Sequence, residues 1–263
     1  MRRAPERLRG AGLAVLAVLA VAASAAAGGT CSRPLYLTFD TGHMGVAPLV
    51  AEVLARHDVK ATFFLAAERT LDGGHSLDEK WAPWWRQRAA EGHAFASHTW
   101  DHGTWQADTP VGFRVRPSQG PQAGKTIDLT PTALCAELAR PEQRLREMTG
   151  QAMLALFRAP GGRTSERLLE AARGCGWQHV GWSPAGFLGD ELPSDRFPNE
   201  ALRQRALRDI RAGDILLAHL GIWSRRDPWA PAVLEPLIVG LKARGFCFAT
   251  LRDHPVHGRA GQR

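Results

Sequence analysis

The sequence predicts a single barrel-like α/β domain built on about seven parallel strands. Three observations predict it. Short runs rich in β-branched, aromatic and leucine side chains alternate with helical patterns from residue 35 to residue 250. The stretch following residue 27 suits one such domain better than two. Neither an internal repeat nor a low-complexity tract interrupts it.

The elements follow in order. Leu35–Phe39 reads as a strand and Val46–Ala55 as a helix. Thr62–Leu65 is the second strand, before a helix around Lys80–Ala90. Ala94–Ser97 is the third, and a helix over Pro131–Thr149 comes after it. Leu154–Phe157 precedes a helix at Ser165–Arg173, closed by Gly174 and Gly176. Gln178–Trp182 precedes Asn199–Arg211, and Ile215–Ala218 precedes a helix from about Pro231 to Arg244. Phe246–Thr250 ends the series.

One segment breaks the rhythm. Residues 103–130 are rich in Gly, Pro and Gln, and Val111–Val115 and Thr126–Leu129 alternate around a turn-rich Pro117–Lys125. This predicts a β-hairpin insertion. A connection of that length is usually functional or disordered, and it starts directly after His102, so a flap beside the active site is the preferred reading.

Composition sets the class. The chain has 263 residues, 44% apolar and 22% charged, which excludes disorder, collagen and coiled coil. Of the net charge of +7, +3 comes from Arg2, Arg3, Arg7 and Arg9 against Glu6. The remainder is mildly basic and holds no Lys/Arg run that argues for nucleic acid. Those four Arg precede an apolar stretch, Ala11–Ala23, and small residues at Ser24–Gly28. That order reads as a signal peptide over residues 1–27, leaving a domain over 28–263 that is periplasmic or secreted. An uncleaved anchor is the competing reading; no later stretch could span a bilayer. Export gives meaning to Cys31, Cys135, Cys175 and Cys247, an even set with no CxxC spacing. A Cys175–Cys247 disulfide is weakly favoured, although Cys31 could equally partner Cys247, because the first and last strands are neighbours in a barrel.

The polar residues gather at strand ends. Asp40 and Thr41 follow the first strand, His98 and His102 the third, Arg158 the fourth and His219 the sixth. The C-terminal strand ends of a (β/α) barrel share one face, where the βα loops build the active site. His98-Thr-Trp-Asp-His102 places two imidazoles at i and i+4, able to share a divalent metal. Each residue has a plainer alternative: surface histidines, a helix cap at Asp40, a surface cation at Arg158, a satisfied core imidazole at His219. As a group they match metal-assisted hydrolysis.

Thr38-Phe-Asp-Thr-Gly42, His98-Thr-Trp-Asp-His102, Arg158-Ala-Pro-Gly161 and Leu217-Ala-His219 resemble, in order, the motifs of the polysaccharide deacetylases with a NodB-homology domain. The resemblance covers roughly residues 33 to 252. It implies a distorted (β/α) barrel and a divalent cation, zinc or cobalt. It also implies a hydrolase removing N-acetyl groups from chitin, peptidoglycan or related glycans, or O-acetyl groups from xylan. Carried across, Asp40 falls on the catalytic base, His98 and His102 on metal ligands, and Arg158 on the residue orienting the base. His219 falls on the general acid, with Pro160 and Leu217 beside the acetyl pocket.

Two departures stand out. The family motif has a second Asp, a metal ligand, where this chain has Thr41; the hydroxyl, a water or His43 would fill that place, or the site would bind metal poorly. Asp101, between the two histidines, is expected to face away. The motif ending in Trp is blurred around Trp182–Asp190, where Asp190 is a candidate brace for Arg158, and Leu220 stands where an Asp is common. Nine Trp against one Tyr is unusual, and Trp100, Trp105, Trp182 and Trp223 in βα loops are candidate sugar-stacking platforms, with Trp100 and Trp182 foremost. Trp81, Trp84 and Trp85 read as core filling. The expected function is an exported deacetylase of an acetylated glycan; the alternative is a catalytically impaired glycan-binding protein on the same scaffold.

Overall fold

The first strand sets the architecture. In β1 (Pro34–Asp40), Leu35, Leu37 and Phe39 join a core shared with the helices, whereas Tyr36 joins a second cluster with Phe64, Ala94, Ala96, Leu156, Val180 and Ile215. Successive strand side chains point to opposite faces. Both faces are covered, which is why these strands read as near-continuous apolar runs. This computed structural model describes Met1 and residues 31–260. The targeting segment read over residues 1–27 lies outside the described residues, Met1 apart.

Further parallel strands follow: β2 (Thr62–Leu65) and β3 (Ala94–Ser97). The insertion then supplies β4 (Gly103–Thr109), β5 (Gly112–Pro117) and β6 (Ile127–Leu129). The main sheet resumes with β7 (Leu156–Phe157), β8 (Gln178–His179), β9 (Ile215–His219) and β10 (Cys247–Phe248). Its order is β10-β1-β2-β3-β7-β8, with β9 also paired to β1. That gives the seven parallel strands expected. β1 is the hub: Pro34 and Leu35 pair with β10, Thr38–Asp40 with β2, and Tyr36–Asp40 with β9. Among the described residues no ladder joins β8 to β9; the segment after β8 meets β9 through an isolated bridge, Phe187 to Leu217, so the barrel is distorted there.

The helices are α1 (Ala47–Arg56), α2 (Ala82–Ala90), α3 (Pro131–Thr149), α4 (Glu166–Gly174), α5 (Asn199–Asp209), α6 (Glu235–Ala243) and a short α7 (His257–Ala260). Local chemistry explains their ends. Thr130 caps α3 by accepting from the Ala133 N–H, Pro131 occupies the first turn, and left-handed Gly150 closes the helix. Ser165 caps α4 by accepting from the Leu168 N–H. A π-helical turn, Ala230–Leu234, leads into α6. Among the described residues no helix is long and apolar enough to cross a membrane.

The expected antiparallel hairpin is present, β5 against β6, and β4 extends it to a three-stranded sheet. Gly103–Thr109 is itself a strand, and Val111 belongs to the tight turn between β4 and β5, 70% exposed. The favoured Cys175–Cys247 disulfide does not form; the bonds are Cys31–Cys247 and Cys135–Cys175. The reason is topological. Cys247 is in register with Pro34 on β1, which Cys31 precedes, while Cys175 at the end of α4 meets the first turns of α3.

Candidate active site

Period-two alternation assembles the site. Asp40 continues the phase of Tyr36 on β1, His98 that of Ala94 and Ala96 on β3, Arg158 that of Leu156 on β7, and His219 that of Ile215 on β9. Four strands thereby bring one polar side chain each to the same end of the inner cluster. Asp40 and His219 are direct register partners across the β1–β9 ladder.

Asp40 is almost fully buried and lies between two cations or potential cations. Arg158 Nη1 donates to Asp40 Oδ1 at 2.7 Å, and His98 Nε2 is 3.4 Å from Oδ2. Burial alone would raise the Asp40 pKa, but Arg158, His98 and His219 outweigh it and hold the carboxyl below its ordinary value. Arg158 is wholly buried; Nη2 donates to the Gly181 carbonyl at 3.0 Å, and the guanidinium stacks 4.0 Å from the Phe64 ring centre.

The two histidines of the His98–His102 loop stand side by side, ring centres 4.8 Å apart. His98 Nδ1 bonds the Arg158 carbonyl at 2.9 Å, which requires Nδ1–H and turns Nε2 toward Asp40. His102 Nδ1 lies 2.8 Å from Ser118 Oγ at the end of β5, so the inserted sheet holds the second imidazole. Burial, opposed by Asp40, brings His98 down to about 4. The loop is strained: Thr99 and His102 both have positive φ without being glycine.

His219 has the opposite environment. Its ring Nδ1 is 3.1 Å from both Asp190 oxygens, and its backbone N–H donates to Asp190 Oδ2 at 2.7 Å. Burial disfavours the imidazolium, but Asp190, then Asp40 and Glu191, raise the pKa to about 10. Asp190 therefore braces His219, not Arg158 as expected from the sequence, and it supplies the carboxylate that Leu220 lacks.

Other residues fall as follows. Leu217 and Pro160 are buried at the β9 and β7 ends. Trp182 packs over Gly162, where a Cβ would sit 2.7 Å from the indole and φ is +67°, so that position excludes a side chain. His43 does not replace a ligand by way of Nδ1, which accepts from the Gly45 N–H, and its ring stands edge-on to Trp223. Thr41, expected to fill the place of a carboxylate ligand, has its hydroxyl engaged: it donates to Glu68 Oε2 at 2.5 Å and accepts from the Ala66 N–H. Asp101 turns to the cleft near Gly120. Trp85 is fully buried and donates to the Ser76 carbonyl, as core filling requires.

Glu68 was not singled out by the sequence. It follows β2 and so also sits at a C-terminal strand end, which is the signal that could have found it. His102 and His98, the Thr41 hydroxyl and the Gly42 N–H together outweigh burial and hold its carboxyl below the ordinary value. Beside the site runs a cleft of about 930 Å³. Trp100 with Arg140 stacked 4.3 Å from its ring, and Trp223 with Arg69 at 4.8 Å, line its walls.

A family model described as polysaccharide deacetylase matches residues 27–180. The chain belongs to the polysaccharide deacetylase family. This chain is a hydrolase acting on carbon–nitrogen bonds other than peptide bonds, and the family generally uses a divalent metal. This deacetylase-family chain is similar to a chitooligosaccharide deacetylase of Sinorhizobium fredii, 30% identical over 233 residues, covering 85% of this chain and 92% of the relative. It is similar to another of Azorhizobium caulinodans at 26% identity over 227 residues, covering 82% and 92%. It also resembles a peptidoglycan-N-acetylmuramic acid deacetylase of Bacillus subtilis at 26%, covering 86% and 73%. Among solved structures, a peptidoglycan N-acetylglucosamine deacetylase superposes with a TM-score of 0.64 at 23% identity, covering 84% of this chain and 87% of that one. A family 4 acetyl xylan esterase of Clostridium thermocellum, solved with a cobalt ion, gives 0.63 at 22%, covering 84% and 89%. These likenesses share the fold.

The donor chemistry fits a divalent cation. Both imidazoles engage Nδ1 with the protein and leave Nε2 for coordination, a carboxylate stands near them, and such second contacts orient metal-binding histidines. Among the described residues no three His, Cys, Asp or Glu side chains already form a closed ligand cluster. The fit is one of donor type.

Proposed function

We propose that this chain is an exported, divalent-metal-dependent deacetylase that hydrolyses the N-acetyl group of an acetylated glycan. The observation that carries it is the register pairing of Asp40, held by Arg158, with His219, held by Asp190, on adjacent strands beside His98 and His102; Arg158 keeps the Asp40 carboxyl below its ordinary value and Asp190 raises His219 to about 10. That is an acid and a base whose environments drive their proton affinities apart. Export rests on the pattern of the first 27 residues and on two disulfides.

His98 and His102 would hold the cation, zinc first and cobalt second. The chemistry it would supply there is polarisation of the acetyl carbonyl and a more acidic water. Asp40 takes the proton from the attacking water, and Arg158 keeps that carboxylate ionised and oriented. His219 gives its Nε2 proton to the departing amine, with Asp190 fixing the ring through Nδ1. Pro160, Leu217 and Trp182 wall the acetyl group, and Trp100 with the neighbouring cleft receives the sugar chain.

Support also comes from relatives bearing the names chitooligosaccharide and peptidoglycan deacetylase. The test is acetate release from acetylated chitooligosaccharides and from peptidoglycan by the purified protein. Chelator should abolish release and zinc or cobalt restore it. Unchanged release in chelator would sink the metal reading; no release from any acetylated glycan would sink the enzymatic one.

A further inference from the structure

We infer that Glu68, at the end of β2, supplies the third protein ligand to the cation, in the role vacated at Thr41. The inference rests on the metal reading above and concerns this chain's own means of meeting it.

The geometry begins with Thr41. Its hydroxyl is already engaged: the proton goes to Glu68 Oε2 at 2.5 Å, and one lone pair accepts from the Ala66 N–H at 3.2 Å. The Gly42 N–H donates to the same Glu68 oxygen at 2.5 Å. Two donors from the β1 loop therefore converge on one carboxylate oxygen from the β2 loop. Oε1 takes no hydrogen bond from a described residue. A carboxylate anchored through one oxygen, with the other unclaimed, is how a coordinating carboxylate is held from behind.

Charge supports the assignment. Two neutral imidazoles leave a divalent cation uncompensated, and a hydroxyl adds no charge. A carboxylate reaching the site from β2 restores the anion that a threonine at position 41 cannot provide. The backbone shows why the prop is built there. Gly42 has φ +66°, and a Cβ on it would sit 2.0 Å from the Gly221 carbonyl oxygen. The β1 loop is thereby pinned to the β9 loop, with the His43 N–H bonded to the same carbonyl at 3.0 Å. Thr41 and Gly42 thus present their donors from a fixed frame. Thr41 changes from ligand to support, and Glu68 becomes the ligand.

The test measures metal, not turnover. Full-length mature protein, stripped with chelator, is titrated with Zn(II) by calorimetry and with Co(II) by visible absorption. Wild type, Glu68→Gln, Thr41→Val and the double variant Thr41→Asp/Glu68→Gln are compared, with chelator-treated melting curves to show that each is folded. Loss of an orienting partner typically costs about 10–100-fold in affinity. Glu68→Gln should therefore weaken binding by more than about 100-fold and change the Co(II) spectrum, and Thr41→Val should weaken it by about 10-fold. The double variant should recover most of the loss through a carboxylate on β1. A wild type that binds while Glu68→Gln binds as tightly, with the same spectrum, would overturn this inference and leave the metal reading standing. A wild type that binds neither ion would overturn the metal reading and this inference with it.

Discussion

Arg158 Nη1 donates to Asp40 Oδ1 at 2.7 Å, and the two side chains are only 0% and 4% exposed. A buried ion pair of this kind positions more than it stabilises. Breaking it from one side is costly, because the remaining charge stays buried without compensation. Arg158→Gln should lower unfolding free energy by about 3–5 kcal/mol, read by denaturant titration. A loss below 1 kcal/mol would show that Asp40 finds another partner.

Asp40→Asn keeps the shape and removes the proposed base. Acetate release should fall by about 10²–10⁴-fold, the usual worth of a positioned base. Bound metal, measured on the same preparation, should remain near the wild-type value. Simultaneous loss of metal and activity would move Asp40 from base to ligand.

His219 is held at about 10 against the cost of burial, chiefly by Asp190. An acid must be protonated to act, so a raised pKa extends activity toward high pH. Asp190→Asn should pull the alkaline limb of the kcat profile down by about 1–3 units, the effect of losing one adjacent opposite charge. Stability has the same sign. The contribution from His219 is complete below its unfolded value near 6.5 and disappears as pH rises through about 10. An alkaline limb that does not move in the variant would separate His219 from the proton transfer.

Acid should unfold the protein early. His93, His179 and His257 each titrate near 4, burial being the first cause in all three. Their folded pKa is depressed, so the stability they confer is present above 6.5 and lost as pH falls toward 4. Urea midpoints should drop steeply between pH 6.5 and 4, and less so in His93→Gln. A flat profile over that window would show that these imidazoles are not neutral in the folded protein.

The disulfides should contribute unequally. Cys31–Cys247 spans 216 residues and Cys135–Cys175 spans 40. Removing a disulfide costs about 2–5 kcal/mol, and chain entropy assigns more to the longer loop. The Cys31→Ser/Cys247→Ser pair should therefore lower the melting temperature more than Cys135→Ser/Cys175→Ser.

What could be read in the sequence was what depends on local period. Short apolar runs at Leu35–Phe39, Ala94–Ser97, Leu154–Phe157 and Ile215–Ala218 reveal both the strands and the polar residue that follows each, so the barrel and the positions of Asp40, His98, Arg158 and His219 were legible. Glu68 and the partner of Asp190 were not. Their hydrogen-bond partners lie 27 and 29 residues away, on neighbouring strands, and no local pattern encodes which strand will be the neighbour. Of the disulfides, Cys31–Cys247 was one of the two partnerships the sequence left open for Cys247, because first and last strands are neighbours; Cys135–Cys175, which follows α3 against α4, escaped for the same reason as Glu68. Gly103–Thr109 escaped because both of its faces are polar or partly exposed, which erases the alternation that marks a strand.

Because Asp40 and His219 occupy matched rungs of one parallel ladder, the interval between the proposed proton acceptor and proton donor is written in main chain, about 4.8 Å between strands. Loops around the cleft can drift to accommodate other sugars without altering that interval. Proton affinities can likewise be retuned through Arg158 or Asp190 while the stride stays the same. Selection on such a scaffold is free to change what is cut long before it can change how.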